Sequence, residues 1–347
     1  MADLLVTNFN RNFTGVSATA ANVARQQASR YDMELVGRAL PGCPDPISVV
    51  AAHAASRTHD TAKPFAIWHV RRNTEMRAAI WARDILRLPV RIVFTSAAQR
   101  RHSAFPRWLI SRMDAVIATT DAAATYVPHV RAVVPHGVDT DLFTPAENRN
   151  SAWEALGYGG QKGIATIGRI RPEKGTDLFV DTMLHLLPDH PDTVALVIGR
   201  AAREHQGFLK ELQARIAAAN LSDRILFPGE IPATDLPSVM RALSLVVQLP
   251  RYEGYGMAPL EGLASGVPFI GSDTGYYRTF SAQGTVGKVV PLEAVEEATA
   301  VADHMLSSPE QLSETARKGR DLAVSAFSAG AEADGIDAIY QDLWASG

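Results

Sequence analysis

A single cysteine, Cys43, stands in 347 residues. One thiol excludes an intrachain disulfide framework and any site built on clustered cysteines, and it fits a reducing compartment. No run of eighteen apolar residues occurs, so no segment reads as a transmembrane helix. The amino terminus, MADLLVTNFN, lacks the basic segment and the longer apolar run of a secretory signal. A cytoplasmic protein, at most peripheral to a membrane, is expected. Gly-x-Gly-x-x-Gly follows no strand-like run, no Gly-Lys-Ser/Thr ends a turn, and there is no His-Glu-x-x-His or Cys/His cluster. Dinucleotide fingerprints, Walker loops and these common metal sites are thereby excluded. The net charge of -3 argues against a general polyanion binder, and no nucleic-acid partner is expected.

What is present is a repeated alternation of short apolar runs and helical patterns. Leu4 to Val6, Met33 to Val36, Phe65 to Val70, Arg91 to Phe94 and Ala115 to Thr119 read as buried strands of a first half. Ile164 to Ile167, Val194 to Ile198, Ile225 to Phe227, Leu245 to Leu249 and Phe269 to Gly271 repeat the pattern in a second. Helices are expected at Ala18 to Arg30, Glu75 to Leu86, Ala104 to Met113, Asp177 to Leu187, Glu204 to Ala219 and Ala331 to Ala345. Such alternation predicts an α/β protein of two Rossmann-like, doubly wound parallel-sheet domains. Polar Glu147 to Ser151 and the glycines at 157, 159, 160 and 163 read as the linker. The expected domains are 1–150 and 151–326, with a closing helical segment at 327–347.

Three stretches carry chemistry. In Arg251 to Gly275, RYEGYGMAPLEGLASGVPFIGSDTG, an apolar run is broken by Glu253 and Gly254, Pro259 opens a short helix carrying Glu261, and Gly266 closes it. Two acids eight residues apart at a strand-turn-helix corner, with Tyr255 and Gly256 between them, could hold hydroxyls while free backbone N–H groups attract phosphate. A solvated corner would look the same. Gly168-Arg169-Ile170-Arg171-Pro172-Glu173-Lys174-Gly175 follows a strand and precedes a helix. Arg169 and Lys174 would suit a diphosphate; the other reading is a basic turn paired with Glu173. The third stretch, 71–112, holds ten arginines against two acids, Glu75 and Asp84. Its excess suits an anionic acceptor or an anionic membrane surface, or else arginines spread over solvated helix faces. Early in the chain, Phe13-Thr14-Gly15 makes a turn between the first strand and the first helix; Gly15 is a weak phosphate-loop signal or simply a turn glycine.

The corner resembles the E-x7-E signature of the retaining glycosyltransferases of family 4, with Glu253 and Glu261 at its acid positions. Gly168, Arg169, Lys174 and Gly175 match that family's G-R-x(4)-K-G diphosphate motif, and Val133 to Pro145 resembles its Pro-Asn-Gly-Val-Asp segment with His136 in place of Asn. The stretches NFNRNFTGVSATAANV, IWHVRRNTEMR, VFTSAAQRRHSAFPRWLISRMDAVIATT and VVPHGVDTDLF are closer to bacterial lipopolysaccharide core mannosyltransferases acting on the inner Kdo of Kdo-lipid A.

The resemblance implies a GT-B fold, two domains facing a cleft, with the acceptor in the first domain, the nucleotide sugar in the second, and the closing helix crossing back to the first. It implies catalytic roles for Arg169, Lys174 and Glu253. Donor contacts would come from Gly15, Gly168, Gly254, Tyr255, Gly256 and Glu261 as well. Acceptor contacts would come from Arg71, Arg72, Arg77, Arg100, Arg101 and His102. A nucleotide sugar, with GDP-mannose favoured, would be co-substrate; no other cofactor and no metal are expected. Kdo-lipid A or another anionic glycolipid would be acceptor, at the cytoplasmic face of the inner membrane. Where the family often has a His after the fourth strand, Thr95-Ser96 stands. A UDP-glucose-dependent transferase, a GT-B epimerase or phosphorylase, and a non-catalytic anionic-lipid binder are the other readings.

Overall fold

A computed structural model describes residues 2–12, 14–57, 63–98 and 100–346. Phe13, part of the expected first turn, lies outside the described residues. The chain forms two compact units, Met1–Asp139 with Phe327–Gly347, and Thr140–Ala326.

The first unit runs β1 (Leu4–Asn8), α1 (Gly15–Gln27), β2 (Met33–Gly37), α2 (Val49–Ala55), β3 (Ala66–Val70) and α3 (Asn73–Ile80). A wide π-type turn, Trp81–Ile85, extends α3, and β4 (Val90–Ser96), α4 (Ala104–Ser111), β5 (Ala115–Ala118), α5 (Asp121–Ala124) and β6 (Val130–Val133) follow. The second unit runs α6 (Arg149–Leu156), β7 (Lys162–Ile167), α7 (Thr176–Leu186), β8 (Thr193–Ile198), α8 (Gln206–Ala218), β9 (Ile225–Gly229) and α9 (Leu236–Ala242). It continues with β10 (Leu245–Gln248), α10 (Met257–Ala264), β11 (Phe269–Ser272), α11 (Tyr277–Phe280), β12 (Gly287–Val290), α12 (Val295–Leu306) and α13 (Pro309–Ala326). The last helix, α14 (Ala329–Ala345), belongs to the first unit.

Each unit has one six-stranded sheet, ordered β2-β1-β3-β4-β5-β6 and β12-β11-β10-β7-β8-β9, with every pairing parallel. Strands covered on both faces need apolar side chains throughout, which is why β1, β3 and β8 are buried at every position. Chain order reverses between β1 and β3 in the first sheet and between β7 and β10 in the second. In doubly wound sheets the crevice beyond the strand ends at such a reversal is where ligands bind.

One local feature differs from the sequence reading. The expected linker is folded: Asn148 caps α6 by accepting from Ser151 N at 3.0 Å, and Trp153 is buried with its indole N–H donating to Gly159 O at 2.9 Å. A capped helix with a buried indole is a packed element of the second unit. The closing helix is a core element of the first: Ile336, Tyr340 and Trp344 pack with Leu4, Val6, Ile67 and Ile117. Ser328 caps it at Ala331 N, and Glu332 accepts from Gly137 N at 2.7 Å and bonds His136 Nδ1 at 2.8 Å.

Candidate active site

In the second unit the loops after β7 and β10 flank the sheet's switch point. Gln248, buried at the end of β10, donates to Ile167 O at 3.1 Å and fastens the two strand ends together. Beyond them the 3-10 turn Pro172–Lys174 receives backbone hydrogen bonds at Glu173 O from Arg251 N and Tyr252 N, at 3.0 and 3.4 Å. Gly175 joins this turn to α7 at φ +63°, and a Cβ there would sit 1.8 Å from Leu249 O. Only glycine permits that approach.

The two motifs therefore meet. Lys174 Nζ donates to Glu253 Oε2 at 2.5 Å, across 79 residues of chain, with side-chain exposures of 22% and 18%. Glu253 turns its other oxygen to Gly254 N at 2.8 Å. Arg169 is exposed on the loop after β7 and makes no ion pair among the described residues, as Gly168 beside it adopts φ +152°. Glu173 pairs with neither motif cation; its contact is Arg171, at 3.8 Å.

Gly256 is the N-cap of α10 at φ +86°, its Cα pressed against the Tyr277 ring so that a Cβ would come within 2.2 Å. Tyr255 is buried and stacked on Tyr276 with centroids 5.2 Å apart. Glu261 lies in α10, and Gly266 ends that segment at φ +68°. Desolvation pushes the Glu261 carboxyl up to about 7 from its usual 4.5. Burial, and then the charge of Glu253, push the Tyr277 phenol well above its usual value.

Arg251 is a residue the sequence reading passed over. It forms a two-pronged bond with Asp177, both distances 2.8 Å, donates to Pro172 O at 2.7 Å and reaches Glu293 at 2.7 Å. These bonds, with Asp177's first, raise its pKa and lock the start of α7 to the β10 loop. The available signal was position, two residues ahead of Glu253.

The residues expected to meet an acceptor lie in the first unit, with Gly15. That glycine is the first residue of α1, exposed, without a positive φ and with open space about it. Arg71 and Arg72 follow β3 at the switch point of the first sheet. Arg72 donates to Glu75 at 2.9 Å, Ser17 at 3.0 Å, Asn8 at 3.1 Å and Thr14 at 3.4 Å. Arg71 is buried, its two terminal nitrogens have no hydrogen-bond partner, and desolvation lowers its pKa. Glu75, wholly buried, accepts from Thr7, Phe9 N, Arg71 N and Arg72 N at 2.8–3.1 Å, a hub no spacing announced. Nearby, His69 shares its ring nitrogens with Tyr340 and Thr95, and burial holds its pKa well below 6.5.

Arg77 is exposed on α3; Arg100 and Arg101 are exposed, and His102 half-buried, between β4 and α4. The charge excess of this stretch is partly neutralised within the fold. Asp114, beyond the counted residues, pairs with Arg83 and Arg91, and Asp84 with Arg83 and Arg112.

Comparison with known proteins now adds to this geometry. Residues 148–322 match the family described as "Glycosyl transferases group 1". The chain is 38% identical to the lipopolysaccharide core biosynthesis mannosyltransferase LpsB of Rhizobium meliloti (strain 1021), over 98% of this chain and 97% of that one. It is 36% identical to LpcC of Rhizobium leguminosarum bv. viciae, which has the same descriptive name, over 98% and 96%. The crystal structure of HepE from Anabaena with UDP and glucose superposes with a TM-score of 0.81 at 16% identity, over 99% of this chain and all of that one. That likeness shows the fold, two parallel-sheet units of the GT-B kind.

Proposed function

Since this chain belongs to the glycosyl transferase group 1 family, we propose that it moves mannose from GDP-mannose onto the inner Kdo of a lipopolysaccharide core on lipid A. The work would be done at the cytoplasmic face of the inner membrane, with retention of anomeric configuration. The names of the two rhizobial relatives support mannose transfer in core synthesis, and no helix among the described residues is long and apolar enough to cross a membrane.

The observation that carries the reading is the meeting of Lys174 and Glu253 at the β7/β10 switch point, with Arg169 exposed earlier on the same loop after β7. When the bond from the anomeric carbon to the diphosphate breaks, negative charge grows on the departing oxygen. Cations already in place there stabilise the transition state more than the ground state. Arg169 offers two parallel donors to phosphate, and Lys174 offers a point charge whose direction Glu253 fixes before the donor arrives. Glu253 then faces the donor sugar's hydroxyls, and Glu261 the ribose. Arg169 and Lys174 take the place a metal ion would hold, so turnover is expected to survive EDTA.

The test incubates the purified protein with a Kdo-terminated acceptor and, in turn, GDP-mannose and UDP-glucose, following nucleotide release and the product's anomeric signal. Acceptor-dependent GDP release with an α-mannoside product is expected. Turnover of UDP-glucose alone, or release without acceptor, would contradict the reading.

A further inference from the structure

The first unit carries an apolar patch that the donor site does not use. On the π-type turn after α3, Trp81 is 55% exposed, Ile85 58% and, just beyond, Leu86 43%; on α4, Phe105 and Trp108 are each 53% exposed. Phe105 and Trp108 stack outward, their centroids 6.2 Å apart, while Leu109 and Met113 are buried. α3 packs on α4, and Arg112 at the end of α4 donates to Asp84 in the π turn at 2.8 Å, so the two stripes are neighbours. The chain's other tryptophans, 68, 153 and 344, are all buried.

Charge around the patch decides what it fits. Arg77, Arg87, Arg100 and Arg101 are exposed, and none of them, nor Arg107, makes an ion pair among the described residues. The acid inside the patch, Asp84, is held by Arg83 and Arg112, which draw its pKa down to about 2. An apolar centre under a cationic rim matches the boundary between lipid headgroups and acyl chains. Indole rings settle at that depth, and arginines reach phosphates while their stems stay in apolar surroundings.

We propose that this face is a monotopic docking surface for an anionic bilayer. Trp81, Ile85, Phe105 and Trp108 enter the headgroup–acyl boundary, and the arginine rim pairs with lipid phosphates. The inference rests on the reading of the acceptor as a membrane glycolipid, yet flotation and tryptophan emission test it separately from transfer.

Full-length protein is floated with phosphatidylethanolamine vesicles with and without phosphatidylglycerol, and tryptophan emission is recorded. The wild type is expected to float with the anionic vesicles, less so in high salt, with a blue shift quenched by brominated lipid. Trp81→Ala with Trp108→Ala should weaken partitioning by at least about tenfold and leave transfer to a short, lipid-free acceptor unchanged. Trp81→Phe with Trp108→Phe should float but lose the blue shift. An alanine pair that floats like the wild type, or wild-type flotation without a blue shift, overturns the proposal. So does self-association in lipid-free solution that the alanine pair abolishes, which would assign the face to a second copy. Intact flotation alongside no transfer from any nucleotide sugar would fault the enzymatic reading and leave this one standing.

Discussion

At the switch point of the first sheet Arg72 is fully engaged by Glu75, Asn8 and Ser17, whereas at that of the second Arg169 projects into solvent without an ion pair among the described residues. Both sheets are six-stranded with parallel pairings, but their strand orders differ, and two residues join β3 to α3 where eight join β7 to α7; the counter-charges sit differently as well. Glu75 is buried beneath the first crevice and holds Arg72 together with Thr7 and the backbone N–H groups of Phe9 and Arg71; Glu253 lies beside the second and holds the Lys174 side chain and Gly254 N. A charge satisfied from below is scaffolding. One left at the rim is available to a ligand.

The strongest way to sharpen that contrast is to remove the hub. Glu75→Ala strips a buried carboxylate from five donors and is expected to destabilise the protein by about 3 to 5 kcal/mol, read as a lowered urea midpoint. A loss under about 1 kcal/mol would mean the first crevice is not built on Glu75. At the second crevice the opposite split is expected: Arg169→Ala or Lys174→Ala lowers kcat by about 10²–10³, or 3 to 4 kcal/mol, with the melting temperature unchanged. A fall in stability that matches the fall in rate would erase the distinction.

Glu261 tests the contrast by pH. Its folded pKa, about 7, lies above the usual 4.5, so the stability linked to its neutral form is complete below 4.5 and lost as pH rises through 7. Glu261→Gln should therefore stabilise the protein by up to about 3 kcal/mol at pH 8 and by nothing at pH 4.5, while weakening donor affinity. Equal melting shifts at both pH values would contradict the assignment. His69 runs the other way: with its pKa depressed below 6.5, the stability it contributes is present above 6.5 and lost as pH falls. Acid unfolding of the wild type should accordingly be milder in His69→Gln relative to neutral pH. The smallest effect is expected from Arg112→Ala, under about 1 kcal/mol, because its partner Asp84 keeps Arg83 and the pair is half-exposed.

Much of this architecture is legible before any coordinates. Each expected strand is present, because parallel strands buried on both faces must be written as unbroken apolar runs. The motif pair at 168–175 and 253–261 also meets, though 79 residues of separation say nothing about distance and only the family likeness linked Lys174 to Glu253. What stayed hidden was tertiary. Trp153 turns a glycine-rich, polar stretch into a packed helix, and Glu75 gathers Thr7 and Phe9, 68 and 66 residues earlier in the chain. The helix at 104–111 was legible, but not that Phe105 and Trp108 look outward while Leu109 and Met113 are buried. The arginine surplus was overstated because Asp114 sits two residues past the counted stretch.

The central claim is that a diphosphate lies between Arg169 and Lys174. Thermal melting with GDP, GMP and GDP-mannose tests it most directly, since a ligand that binds only the native state raises the transition in proportion to its affinity. The wild type is predicted to gain from GDP and GDP-mannose more than from GMP, and Arg169→Ala with Lys174→Ala to lose that preference. A double variant that still responds to GDP as the wild type does would contradict the account.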